Sequence, residues 1–173
     1  MATTYEPIST QTLGSDIATV TFSSIPQTYT DLVLVTNLKH SYAGSLAVRI
    51  DASLQFNSDT ATNYSTTYMQ GNGTSASSAR LSSQTGIAII SSMASATSFL
   101  PSTINIFNYT NATTYKTVLI RGGNGDDTNY GSSMFGGLWR ATPAAITRID
   151  FIASSTYVWK TGSTFTLYGI KAA

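Results

Sequence analysis

Apolar and polar residues alternate along this chain with a period of two in segment after segment. Val20 and Phe22 are set against Thr19, Thr21 and Ser23; Leu46, Val48 and Ile50 against Arg49 and Asp51; Ile104 and Ile106 against Asn105; Phe165 and Leu167 against Thr164 and Thr166. Successive side chains of a strand point to opposite sides, so this spacing predicts strands with one buried and one solvated face. Two runs, Leu32-Val33-Leu34-Val35 and Val118-Leu119-Ile120, are apolar at consecutive positions. They predict strands covered on both faces, central in a sandwich.

Turn chemistry separates these runs, at Ile25-Pro26-Gln27, Tyr42-Ala43-Gly44, Asn57-Ser58-Asp59, Gly71-Asn72-Gly73, Gly122 to Asp127 and Thr161-Gly162-Ser163. Counting runs gives about nine or ten strands of ordinary length. No segment sustains a 3.6-residue period. Thr142 before Pro143 offers one turn of helix at most, and Ile146 to Ile152 returns at once to strand chemistry. The expected fold is all-β, an antiparallel two-sheet β-sandwich with jelly-roll connections, formed by one domain over residues 1–173. The Ser- and Gly-rich stretch near 71–85 has strands on both sides and predicts a long surface loop rather than a linker between domains.

Composition sharpens this picture. The chain has 173 residues, with 24 Ser and 28 Thr against a single Glu and four Lys, so strand formers abound while surface helix formers are scarce. Thr then reads as the polar face of strands and Ser as loop. Nine scattered Lys and Arg against eight Asp and Glu give a net charge of +1. Without a basic cluster to displace counterions, nucleic acid is not the expected partner. There is no Cys, which removes disulfides, thiolate metal sites and thiol nucleophiles. Apolar runs such as Leu32 to Val35 are far shorter than the roughly 20 residues of a membrane helix, so no membrane partner is expected. The segment from Met1 to Pro7 lacks a positive start and an apolar core, so synthesis in a cytoplasm without a secretory signal is expected.

Chemistry-bearing residues are few. His40 is the single imidazole, no Gly-x-Ser-x-Gly elbow accompanies it, and a local structural role is the better reading. Asp150, in an apolar strand two residues from Arg148, predicts a structural ion pair on one face. Asn124, Asp126, Asp127 and Asn129 carry oxygen ligands of the kind calcium takes, but their spacing is not that of an EF-hand, and a hairpin loop accounts for them. No cofactor, no metal and no enzymatic activity are expected. The Asn-x-Ser/Thr triplets at Asn63, Asn72, Asn108 and Asn111 are uninformative in so hydroxyl-rich a chain. Ten Tyr, seven Phe and two Trp carry more weight. Tyr42, Tyr64, Tyr68, Tyr130 and Tyr157, with Asn72, sit among polar neighbours and are the candidate contacts to a glycan or protein partner. Trp139 and Trp159, beside Leu138 and Val158, are expected in the core.

Several motifs have a family likeness: Tyr5-Glu6-Pro7-Ile8, Gln11 to Ser15, Val20 to Leu34, Tyr68-Met69-Gln70-Gly71-Asn72-Gly73, Gly137-Leu138-Trp139, Ala145-Ile146-Thr147 and Thr166 to Lys171. Across essentially the whole chain they resemble small virion structural proteins of tailed bacteriophages of aquatic bacteria. The resemblance implies a virion component, either a capsid decoration (cement) protein or a tail-fibre part, and carries no catalytic or binding residue with it. The expected function is decoration of the assembled shell. The expected partners are the major capsid protein or other virion proteins and copies of the chain itself in a homo-oligomer, for example a trimer. The alternative is a tail-fibre or spike module whose Tyr- and Asn-rich loops bind host glycan.

Overall fold

The computed structural model describes residues 4–41, 50–90, 98–125, 130–154 and 156–171, apart from the side chains of 50, 51, 90, 124, 125 and 130. These residues form twelve antiparallel strands and no helix. Eight make one sheet: β1 (Tyr5–Thr12), β3 (Asp31–Leu38), β5 (Tyr64–Gly71), β6 (Ala76–Gln84), β8 (Leu100–Ile106), β9 (Lys116–Gly125), β10 (Tyr130–Trp139) and β12 (Thr164–Ile170). Their order across the sheet is β1-β12-β3-β8-β9-β10-β5-β6. Four make the other: β2 (Thr19–Phe22), β4 (Ile50–Phe56), β7 (Ile87–Ile90) and β11 (Ile149–Ala153), in the order β2-β11-β4-β7. The pairing is nested, early strands meeting late ones: β1 with β12, β2 with β11, β3 with β8, β4 with β7.

The strand register turns the sequence alternation into rows. One row across the large sheet, Leu167, Leu34, Ile104, Ile120, Phe135 and Tyr68, is buried throughout and belongs to the core. The small sheet joins that core with Val20, Phe22, Leu54, Phe56, Ile149 and Phe151. Burying such side chains contributes about 1.5–3 kcal/mol each before the cost of ordering the chain. Trp159 meets Phe151 at 5.1 Å and Phe165 at 6.1 Å, and Trp139 stacks on Tyr64 at 6.3 Å, so both Trp lie in the core as expected.

Two glycines set how closely these layers approach. A Cβ at Gly137 would stand 2.6 Å from Ile87 of β7, in the opposite sheet, and one at Gly169 would stand 2.3 Å from the Tyr29 ring. Glycine is required at both positions by space rather than by turn geometry.

The two-sheet architecture, the lack of helix among the described residues and the alternations at β2, β8 and β12 are as expected. Three points differ. The described residues hold twelve strands rather than nine or ten. The Ser-rich stretch near 71–85 is chiefly strand β6, paired in unbroken register from Ala76↔Gly71 to Leu81↔Thr66. The loop shrinks to a tight turn: Asn72 Oδ1 accepts from the backbone N–H and hydroxyl groups of Thr74 and Ser75, and Gly73 takes φ +86°. Strand β6 lacks alternation because Ala76 to Arg80 are exposed on both faces, and only Leu81 packs against the core. Finally, Leu32 to Leu34 are buried on both faces but Val35 is 41% exposed. The alternation expected at Leu46 and Val48 lies outside the described residues.

Candidate functional site: an exposed groove on the large sheet

One position along from the core row, the same register carries an outward-facing row across all eight strands. It runs Thr10, Thr166, Val35, Thr103, Arg121, Met134, Met69, Ser78. Met69 is 60% and Met134 42% exposed, high for side chains of this type, and Arg121 is exposed beside them. A groove of about 1030 Å³ is lined by Met69, Ser78, Thr103, Arg121 and Met134 of this row and by Pro101, Ser132, Gly71 and Ala76 of the next. Alternation that buries Tyr68 and Phe135 necessarily turns their neighbours Met69 and Met134 outward.

Electrostatically this half of the sheet has one sign. Strands β5, β6, β8, β9 and β10 contain Arg80, Lys116 and Arg121 and no Asp or Glu. Lys116 is buried and spends its ammonium on the carbonyl oxygens of Asn111, at 2.5 Å, and Thr114, at 2.7 Å; burial pulls its pKa down. Arg80 and Arg121 make no ion pair among the described residues. Arg80 lies two residues from Ser78 and so projects from the same face as Arg121.

The residues read from sequence as contacts are dispersed. Tyr64 is wholly buried: its hydroxyl accepts from Phe56 N–H at 3.1 Å and donates to the Asp59 carbonyl at 3.1 Å, and burial pushes its pKa well up. Tyr68 is buried against Phe135, ring centres 6.1 Å apart. Neither side chain is exposed; the adjacent Ser65 and Thr67 belong to the opposite face of β5. Asn72 is exposed at the β5–β6 turn, adjoining the groove through Gly71, but its carbonyl is committed to the turn. Tyr157 is half-buried with its ring 5.0 Å from that of His40, which is itself buried and 5.4 Å from Trp159. The lone imidazole is therefore a packed member of an aromatic cluster. Tyr42 lies outside the described residues, as do the Tyr130 side chain and the ligand candidates Asn124 (side chain), Asp126, Asp127 and Asn129.

Two carboxylates are held by design of the fold. Asp150 takes a two-pronged bond from Arg148, Nε to Oδ2 and Nη2 to Oδ1, both 2.7 Å, and a hydroxyl from Thr21 at 2.6 Å, which is the ion pair expected from sequence. Burial pulls the Asp150 pKa up, but the Arg148 and Thr21 bonds outweigh it and the net direction is down. Asp59 behaves alike: burial raises its pKa, and donation from the Trp139 indole at 2.7 Å, Asn63 and Ala61 N–H lowers it further than that. Among the described residues no group of three or more His, Asp or Glu is placed to hold a metal ion, and no helix is long and apolar enough to cross a membrane. No protein-family model, no curated protein and no solved structure matches this chain.

Proposed function

We propose that this chain is a virion structural protein of a tailed bacteriophage, a decoration or cement protein that attaches to the assembled capsid shell. The observation that supports it best is the exposed row across the eight-stranded sheet: eight side chains with a single charge, presenting Val35, Met134 and Met69 to solvent beside hydroxyl-bearing neighbours. Such a surface suits repeated shallow contacts, and placing many copies on a symmetric shell multiplies their effect. The motif likeness noted in the sequence agrees with this reading. As part of the proposal we read the nested strand order as a jelly roll, with β1-β12-β3-β8 set against β2-β11-β4-β7 and β5, β6, β9 and β10 extending the first sheet.

The test is add-back. Purified protein mixed with particles lacking it is expected to bind at hundreds of copies per particle and raise their resistance to heat. A few dozen copies confined to the tail, or no gain in capsid stability, would remove the decoration reading.

A further inference from the structure

Among the described residues, large apolar side chains are exposed along one sheet and not along the other. Four of them lie within strands, Tyr5, Val35, Met69 and Met134, and all four take outward positions of the large sheet. The remainder directly precede or follow strands β8 and β9 of that sheet. Apolar exposure gathered on one face marks a surface on which a protein partner packs. Within that face two arginines set a spacing. Arg121 on β9 and Arg80 on β6 are three strands apart, about 14 Å at the usual strand separation, and one row apart along the strands. Met134 and Met69, on the two strands between them, stand in the Arg121 row and line the groove with it. In an extended chain, residues i and i+4 point the same way about 13–14 Å apart, and residue i+2 lies midway on that side.

We propose that the groove on the outward face holds a short extended segment of another protein, lying across the strands from β9 to β6. Two carboxylates four residues apart meet Arg121 and Arg80, and an apolar side chain midway between them rests on Met134 and Met69. Charge complementarity selects the carboxylates: strands β5, β6, β8, β9 and β10 carry no Asp or Glu, and a guanidinium binds a carboxylate through two parallel bonds. The long arginine stems cover the offset of one row. The methionines select a protein over an acidic sugar. Their thioethers donate no hydrogen bond and accept only weakly, so sugar hydroxyls set against them would lose their partners, whereas an aliphatic side chain packs there without loss. A second copy does not supply the segment, because no two of the eight acidic residues of this chain are four positions apart. Identifying the partner with a shell protein rests on the decoration reading; the groove and its spacing do not.

The probe is the end-capped peptide Ser-Asp-Ser-Leu-Ser-Asp-Ser, titrated at low ionic strength into the full chain while the methyl signals of Met69 and Met134 are followed by NMR. Both signals are expected to shift. Replacing both Asp by Lys is expected to weaken binding at least about tenfold, and moving the two acids to adjacent positions, or exchanging Leu for Ser, severalfold. Arg80→Gln and Arg121→Gln, both at exposed positions, are each expected to weaken the Asp peptide severalfold while leaving the melting temperature unchanged. Equal binding of the Asp and Lys peptides, indifference to the spacing of the acids, or no methyl shift at millimolar peptide would overturn the proposal. So would trigalacturonate binding as tightly as the Asp peptide, which would make an acidic sugar the occupant. Add-back separates the two readings: particles that take up the protein while the Asp peptide leaves both methionines unshifted remove the groove site and keep decoration, whereas a bound Asp peptide with no particle binding does the reverse.

Discussion

Gly137 illustrates how a single residue controls the meeting of the two sheets. Its missing Cβ is the space that Ile87 fills, so Gly137→Ala must push β7 away from β10 or force Ile87 from its rotamer. Overpacking of this kind costs about 1–3 kcal/mol. The expected result is a clear fall in midpoint on denaturant titration, little restored by the companion change Ile87→Val, which removes Cδ1 but keeps Cγ2, the nearer methyl at 2.6 Å. Asp150 supplies a second prediction at this scale. Its folded-state pKa is depressed, so its contribution is present above the unfolded value near 3.9 and is lost as pH falls through the folded value. Asp59, also depressed, adds to the same acid limb. Stability measured from pH 6 downward is therefore expected to decline below about pH 4, and Asp150→Asn is expected to flatten that decline. Because Arg148 is 43% exposed and can return to water, the cost of Asp150→Asn near neutral pH is expected to stay at about 1–3 kcal/mol. An unchanged acid limb in Asp150→Asn would show that the pair carries no linkage.

At the scale of elements, the sequence was readable wherever one face of a strand meets the core. The alternations of β2, β8 and β12 located those strands because burial writes itself into residue type at every second position. It failed at β6 for the converse reason: Ala76-Ser77-Ser78-Ala79-Arg80 has no buried face and so no alternation, and its Ser content is indistinguishable from loop. Tyr64 and Tyr68 escape the sequence reading by the same physics, since a tyrosine next to Ser65 or Thr67 is buried when that neighbour occupies the other side of the strand. The outward positions of Met69 and Met134 were implicit in that parity, but which parity faces the core becomes visible only once Phe135 and Tyr68 are paired across β10 and β5. Since Leu81 is the sole β6 side chain anchored to the core, Leu81→Ser is expected to free this strand selectively. Amide exchange should accelerate over residues 76–84 and stay slow in β3 and β8; uniform acceleration would mean that β6 is integral to global stability.

For the whole molecule, the decisive question is whether stability and attachment reside in different surfaces. The core row and the outward row alternate along the same strands, so substitutions one residue apart should have opposite consequences. Met69→Ser/Met134→Ser removes two exposed apolar side chains; exposed positions away from special features ordinarily change stability by no more than about 0.5 kcal/mol. Under the decoration reading the same pair of changes strips the groove of its apolar contact, and because attachment is multiplied over many sites, a small loss per copy becomes a large loss of occupancy. The double variant is therefore expected to melt within about 2 °C of the parent, the shift set by so small a change in a domain of this size, yet to leave particles largely bare in add-back. Phe135→Ala, on the adjacent inward position, is expected to cost about 3–5 kcal/mol and to impair attachment only in proportion to the unfolded fraction. If the methionine variant occupied particles as fully as the parent, the outward row would not be the attachment face.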